Sequence, residues 1–201
     1  MRRRVVYALA VVTVAAVVAV AAGWLGTLRG RTTAWTPRAQ SRALSLVVDK
    51  SERRLYVREN GEEVRSFPVA VGSDSHPTPS GRFSIRHITW NPAWIPPDRK
   101  WARNKTPKAP GALNNPMGNV KMYFSEPDYY IHGTRDYDSL GQPDSHGCVR
   151  LANGEAIGLA EMVMEAGGAP RSEGWVDRVL DHFRDTRQVY LSDPIPVTIR
   201  D

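Results

Sequence analysis

The sequence predicts a mainly β domain, a sandwich or barrel, with two short helices in its C-terminal half and a membrane helix at the N-terminus. Three observations lead to this class. From residue 44 onward, short apolar stretches alternate with polar residues at hairpin spacing. Residues 154–166 and 173–184 have helical apolar periodicity. Residues 5–25 form one uncharged, mostly apolar run.

The N-terminal run is long enough to cross a membrane. It contains 21 residues, which as a helix span roughly 31 Å, about one hydrocarbon core. A cleavable signal peptide has an apolar region of only about 7–15 residues, so a signal anchor is favoured, although residues 19–21 are compatible with cleavage. We therefore expect an anchor or signal peptide over 1–25, a linker over 26–43, and a folded domain over 44–201 in the cell envelope, outside the cytoplasm.

The net charge of +6 belongs to the N-terminal arm. Residues 1–42 contain seven Arg and no acid, whereas residues 43–201 contain 20 Lys or Arg against 21 Asp or Glu. Binding to nucleic acid needs a concentrated basic face on the folded domain. A domain that is close to neutral therefore argues against a nucleic-acid partner.

The first half of the domain contains four expected strands, at 46–48, 55–57, 64–71 and 82–88, with a hairpin turn at Asn60-Gly61. A proline-rich loop follows at 89–118. Trp90 and Trp94 in this loop either stack on sugars or anchor the loop to the core.

The second half is expected to supply two strands, two helices and two closing strands. The strands are expected at 120–124 and 129–132, the helices at 154–166 and 173–184, and the closing strands at 189–191 and 197–199. Asn153 is expected to cap the first helix, and Pro194 and Pro196 to form the turn between the closing strands.

The chain contains one cysteine, Cys148, which is flanked by Gly147 and His146. An unpaired thiol in an exported protein is a candidate nucleophile, and a nearby imidazole is the usual means of forming its thiolate. Gly147 lets the backbone turn and lets a substrate carbonyl approach the amides of Gly147 and Cys148. The alternative is that Cys148 is a small, buried apolar side chain without a chemical role. The flanking glycine and histidines favour the nucleophile.

Two histidines compete for the role of general base. His132 comes from a separate segment, so its ring can approach the sulfur without strain; we assign it as the base and His146 as support near the oxyanion. Ser145 is expected to hydrogen-bond within the turn rather than to act as the nucleophile. A zinc site of His132, His146 and Cys148 lacks the spacings that structural zinc prefers, so no metal and no cofactor is expected.

Arg150 either binds a substrate carboxylate or pairs with an internal acid. The loop between His132 and Ser145 contains three acids. They either orient His132 or are solvated side chains: Asp136, Asp138 and Asp144. The histidines expected at the surface are His76, His87 and His182.

These motifs resemble the L,D-transpeptidase catalytic domain family, YkuD-like. The resemblance covers roughly residues 44–199. It is carried by Ile131-His132-Gly133-Thr134 and Ser145-His146-Gly147-Cys148-Val149-Arg150-Leu151, together with Thr78-Pro79-Ser80-Gly81-Arg82-Phe83, Asn115-Pro116-Met117-Gly118 and Leu191-Ser192-Asp193-Pro194-Ile195-Pro196-Val197.

The resemblance implies a cysteine-dependent acyltransferase that acts on peptidoglycan stem peptides. Cys148 would attack the carbonyl that joins the third stem residue to a terminal D-Ala, with His132 handling the proton and the Gly133 carbonyl fixing its ring. D-Ala would leave, and an amine of a neighbouring stem would resolve the acyl-enzyme to a 3→3 cross-link. Family members are typically trapped by carbapenems at this cysteine.

Other outcomes remain open on the same site. Water as acceptor would give an L,D-carboxypeptidase, and a lipoprotein amine would give attachment of that lipoprotein to peptidoglycan. A wall-binding scaffold without turnover is a competing class. A papain-like peptidase places its Cys before its His, at a helix start, which is the opposite of the order here.

Overall fold

The computed structural model describes residues 43–201. The expected anchor and linker at 1–25 and 26–43 lie outside the described residues, apart from residue 43 itself. Within 43–201, no helix combines the length and apolar character needed to cross a membrane.

Eight strands form one sheet, which confirms the predicted mainly β class. The strands are β1 (Leu44–Asp49), β2 (Arg54–Glu59), β3 (Glu62–Pro68), β4 (Gly81–Trp90), β5 (Val120–Ser125), β6 (Tyr129–Thr134), β7 (Val149–Ala152) and β8 (Arg187–Arg200). Their order across the sheet is β3-β2-β1-β8-β4-β5-β6-β7. Most neighbours are antiparallel, but β1 with β8 and β6 with β7 are parallel.

The chain after β3 brings the two ends of this strand order together. Ala70 exchanges backbone hydrogen bonds of 3.0 and 2.9 Å with Arg150 of β7, and Gly72 forms a bridge with Ser145. The predicted strand 64–71 is therefore divided in two. Its first part pairs with β2, and Ala70, near its end, pairs with Arg150 of β7. The sheet is thus nearly closed into a barrel, and the 145–150 segment is held at the seam.

The prediction of two closing strands around a proline turn was wrong, because β8 is a single strand. It pairs with β4 along both halves, with a register irregularity between Ile85 and His87. The pairing of β1 with β8 begins only at Val197. Pro194 and Pro196 therefore belong to a part of β8 that has no β1 partner in register. The N–H that proline lacks removes no hydrogen bond between β8 and β1 there.

Two helices lie in the C-terminal half, as predicted. Helix α1 (Asn153–Ala166) buries Ala156, Leu159, Ala160, Val163 and Met164 in the core. Helix α2 (Trp175–Asp181) is shorter than the expected 173–184 and buries Val179.

Asn153 does not cap α1, so that prediction was wrong. The residue before the helix is Ala152, and it makes no side-chain capping bond. The Asn153 side chain instead binds Asn119: its Oδ1 accepts the Asn119 backbone N–H at 2.8 Å, and its Nδ2 donates to the Asn119 Oδ1 at 2.9 Å. This reciprocal pair satisfies polar groups on both elements and joins the start of α1 to the chain entering β5.

Residues 91–119, which we call the covering loop, connect β4 to β5. Asn91 and Asn119 close its base through a backbone bond of 2.7 Å and a side-chain bond of 3.2 Å. Trp90, the last residue of β4, and Trp94, in the loop, are 0% and 7% exposed. Of the two alternatives for these tryptophans, anchoring to the core is the one that the structure supports.

Candidate active site

A cavity of about 1300 Å³ lies between the covering loop and the outer face of β5 and β6. Both Cys148 and His132 line it. Cys148 lies just before β7, and His132 lies on β6 beside that strand. The parallel pairing of β6 with β7 therefore brings together two residues that are 16 positions apart in the chain.

The turn that presents Cys148 is held by Ser145. Its hydroxyl donates to the Cys148 carbonyl at 2.5 Å and accepts the Gly147 N–H at 3.1 Å. Gly147 has φ +110°, and a Cβ there would lie 2.7 Å from the Tyr129 ring, so the turn requires glycine. Because Ser145 engages the Gly147 amide, the Cys148 amide is the remaining one of the two expected oxyanion donors.

His132 is buried, 2% exposed, and its orientation is set by the backbone. Its Nδ1 donates to the Gly133 carbonyl at 2.8 Å, which leaves Nε2 as the proton acceptor of the neutral ring. Burial lowers the pKa of His132 to about 4, and the nearby Arg150 and Lys121 cations act in the same direction. Hydrogen bonds with the backbone of Gly133 and Pro116 raise this pKa and oppose part of the effect. At neutral pH the ring is therefore an uncharged base.

The two cations that act on His132 lie directly beside it in the sheet. Lys121 of β5 and Arg150 of β7 are both in register with His132 on β6. Residues in register on adjacent strands project to the same face, so the imidazole lies between two positive charges. These charges favour an anion at the sulfur.

Cys148 holds its proton in the unliganded site. Its sulfur donates to the Asp128 carbonyl at 3.4 Å. Burial raises the pKa of the thiol to about 11. Hydrogen bonds from the Tyr130 amide and hydroxyl, and the charges of Arg150 and Lys121, lower this pKa and oppose part of the effect. The thiol and the His132 imidazole are therefore both uncharged at neutral pH.

Tyr130 is a site residue that sequence reasoning missed. Its hydroxyl hydrogen-bonds to Cys148, and its ring centroid lies 5.5 Å from that of His132. Burial, followed by the nearby sulfur, raises the pKa of Tyr130 far above its ordinary value, so the hydroxyl remains a donor. The available signal was spacing: Tyr130 is two residues before His132 on one strand and therefore faces the same side.

His146 lies at the outer wall of the cavity, in an aromatic stack. Its ring centroid is 3.9 Å from that of Trp101 in the covering loop and 4.7 Å from that of His76. Burial lowers the pKa of His146, and His76 adds to the effect. The stack joins His146 to the covering loop, and its expected support near the oxyanion stays a prediction.

Two of the three histidines expected at the surface are partly buried, so that expectation was wrong for them. His76 lines the cavity beside His146. His87 stacks on Tyr123 with ring centroids 4.3 Å apart and lies 3.2 Å from a carboxylate oxygen of Glu126. His182 is exposed, as expected.

Arg150 pairs with acids of the intervening loop and also lines the cavity. Its Nη1 lies 3.4 Å from a carboxylate oxygen of Asp144 and 3.7 Å from one of Asp136. Of the two expected roles, pairing is thus observed. Because the Gly133 carbonyl orients His132, the loop acids are not needed for that task. Among the described residues, no group of three or more His, Cys, Asp or Glu is arranged to hold a metal ion.

A lone thiol and a buried neutral imidazole that line one cavity with cationic walls suit covalent acyl transfer through sulfur. The family profile of YkuD, the L,D-transpeptidase catalytic domain, matches residues 44–190. The chain belongs to this family.

Relatives agree with this assignment. A candidate L,D-transpeptidase encoded in the ATP synthase subunits region of Fuscovulum blasticum is 37% identical over 54% of the chain, and the candidate L,D-transpeptidase YkuD of Bacillus subtilis is 28% identical over 59%. The matched part spans 58% and 59% of the length of these two relatives.

Solved structures agree with the fold. L,D-transpeptidase 3 from Mycobacterium tuberculosis superimposes with a TM-score of 0.50 at 17% identity, over 80% of this chain and 62% of its own. A mutant L,D-transpeptidase from Enterococcus faecium gives 0.50 at 16% identity, over 79% and 50%.

Proposed function

We propose that this chain is a peptidoglycan L,D-transpeptidase with Cys148 as its nucleophile. The observation that carries the proposal is that this thiol and an uncharged, backbone-fixed imidazole line one cavity, within a chain of the L,D-transpeptidase family. Each feature is needed for acyl transfer at neutral pH, because the base must be deprotonated and aimed before the thiol can attack.

The reaction begins with a tetrapeptide stem in the cavity. His132 Nε2 takes the thiol proton as the sulfur bonds to the carbonyl carbon before the terminal D-Ala, and the Cys148 amide stabilises the oxyanion. His132 then gives this proton to the departing D-Ala nitrogen as the carbon–nitrogen bond breaks, which leaves a thioester. An amine of a second stem attacks the thioester, loses a proton to His132, and releases the thiol as the 3→3 cross-link forms.

The proposed place of this reaction is the outer side of the cytoplasmic membrane. The uncharged run at residues 5–25 supports an anchor or an export signal, and the substrate is a cell-wall polymer. Water or a lipoprotein amine in place of the second stem would give the carboxypeptidase or the attachment reaction on the same thioester.

The test is product analysis with the full-length chain in detergent. We expect mass spectrometry to find free D-Ala and a 3→3 dimer after incubation with disaccharide-tetrapeptide, and a carbapenem to add its mass at Cys148. Cys148→Ala is expected to release no D-Ala, and His132→Ala almost none, whereas the exposed control His182→Ala retains activity. Full turnover by Cys148→Ala would refute the proposal, and a folded wild type that forms no adduct would favour a scaffold.

A further inference from the structure

The cavity around Cys148 is strongly cationic, although the domain as a whole is close to neutral. Only one acid, Asp128, lines it. The basic residues that line it are Arg99, Lys100, Lys105, Lys108, Lys121 and Arg150. Cations gathered in a concave site attract anionic ligands more strongly than the same charges spread over a surface.

Most of this positive charge has no carboxylate partner. Arg99 pairs with Asp128 at 2.9 Å, and Arg150 pairs with loop acids. Within 43–201, the ion pairs include none of the lining lysines, and residues 1–42 contain no acid. Lys105 instead lies 5.6 Å from the Trp101 ring centroid, and Lys108 donates to a Thr106 hydroxyl at 3.2 Å.

The lining lysines form two groups. Lys121 is on β5, in register with the general base, and its charge acts on the sulfur. The second group, which we call the loop lysines, consists of Lys100, Lys105 and Lys108 of the covering loop. They form the wall that faces β5 and β6 across the cavity. A charge on that wall is suited to parts of the substrate away from the reacting carbonyl.

We propose that the loop lysines are a subsite for carboxylates of the donor stem remote from the scissile bond, so that the enzyme prefers stems with free carboxylates to stems with carboxamides. This inference rests on the proposed function. A diaminopimelate stem has such carboxylates on its glutamate and on the side-chain end of diaminopimelate. A carboxamide has nearly the same shape without the charge, and it cannot attract an ammonium group in the same way.

An anionic membrane surface is the competing occupant, because Ile95 and Leu113 of the covering loop are 73% and 88% exposed. The positions of the loop lysines favour the stem. Lys100 and Lys105 are exposed and Lys108 is half-buried, but all three line the cavity that contains the thiol, which contact with a bilayer would not require. Arg103 of the same loop is exposed and does not line the cavity, which makes it a natural control.

The experiment compares D-Ala release from carboxylate and carboxamide stems by the full-length chain. We expect the wild type to have a kcat/KM about tenfold higher for the carboxylate stem, and this preference to fall with added salt. The triple variant Lys100→Gln, Lys105→Gln, Lys108→Gln is expected to lose about tenfold on the carboxylate stem and little on the carboxamide. The triple variant Arg65→Gln, Arg86→Gln, Arg103→Gln removes the same charge from exposed positions that do not line the cavity and should keep the preference.

Each outcome decides the matter. Equal release from both stems by the wild type overturns the carboxylate subsite and leaves the transpeptidase function standing, whereas release from neither overturns both. The same assay in vesicles of phosphatidylcholine, with and without phosphatidylglycerol, tests the membrane. A defect of the loop-lysine variant that is equal on both stems and limited to the anionic vesicles overturns the inference. The rate of Cys148 alkylation by iodoacetamide checks that this variant is folded, and the wild-type comparison stands without it.

Discussion

Replacing Tyr130 by Phe removes a single hydroxyl that hydrogen-bonds to the Cys148 sulfur. A hydrogen bond to a charged group contributes about 1.5–3 kcal/mol, and one pKa unit corresponds to about 1.36 kcal/mol. The thiolate loses this bond in Tyr130→Phe, so the pKa of Cys148 should rise further above its ordinary value. At any pH below the pKa, the thiolate fraction should then fall about 10- to 100-fold.

The assay is the rate of Cys148 alkylation by iodoacetamide across the neutral and alkaline range. Cys148 is the only cysteine, so the modification can be followed as a mass increase of the intact chain. Tyr123→Phe is the matched control, since its ring centroid lies 5.4 Å from that of Tyr130 and it does not line the cavity. An unchanged profile for Tyr130→Phe, or one displaced to lower pH, would refute a role for the hydroxyl in stabilising the thiolate.

Two further predictions concern the surroundings of His132, the proposed base. Gly118→Ala should lower the free energy of unfolding by about 1–3 kcal/mol and reduce turnover. The φ of Gly118 is +61°, and the new Cβ would lie 2.3 Å from Asn153 Oδ1 and 2.9 Å from the Gly133 carbonyl oxygen, which accepts the hydrogen bond of His132. Gly141 has φ +77° and open space around it. Gly141→Ala should therefore lose only the part of the stability that comes from backbone strain, and it should keep its turnover. Equal effects in the two variants would contradict this account. Because burial lowers the pKa of His132 to about 4, the unfolded chain binds a proton there at higher pH than the folded chain does. Stability should therefore fall as the pH decreases from about 6.5 to about 4, by up to roughly 3 kcal/mol from this group. Urea unfolding of His132→Gln should show a flatter pH dependence than that of His182→Gln, and parallel curves would argue against a buried neutral ring.

That Cys148 and His132 belong to one site could be predicted without a structure, because both residues belong to short local patterns. Cys148 is the only cysteine and follows Gly147, and the Ser145 hydroxyl bonds were expected from the same turn. Most strands could also be placed, since alternation along a strand is a property of neighbouring residues. The single strand β8 and the side chain of Asn153 were misassigned for the same reason: their partners, on β4 and in the covering loop, are distant in sequence.

The sequence by itself determined the β class, and it singled out Cys148 as the proposed nucleophile and His132, rather than His146, as the proposed base, because residue type and spacing carry that information. Only the tertiary structure decided that Tyr130 and Lys121 share the site, that His146 stacks on Trp101, and that the loop lysines line the same cavity as the thiol. The physical reason is that a charge or a hydrogen bond acts through space over a few ångströms. Strand register and loop closure set those distances, and they depend on residues far apart in the chain.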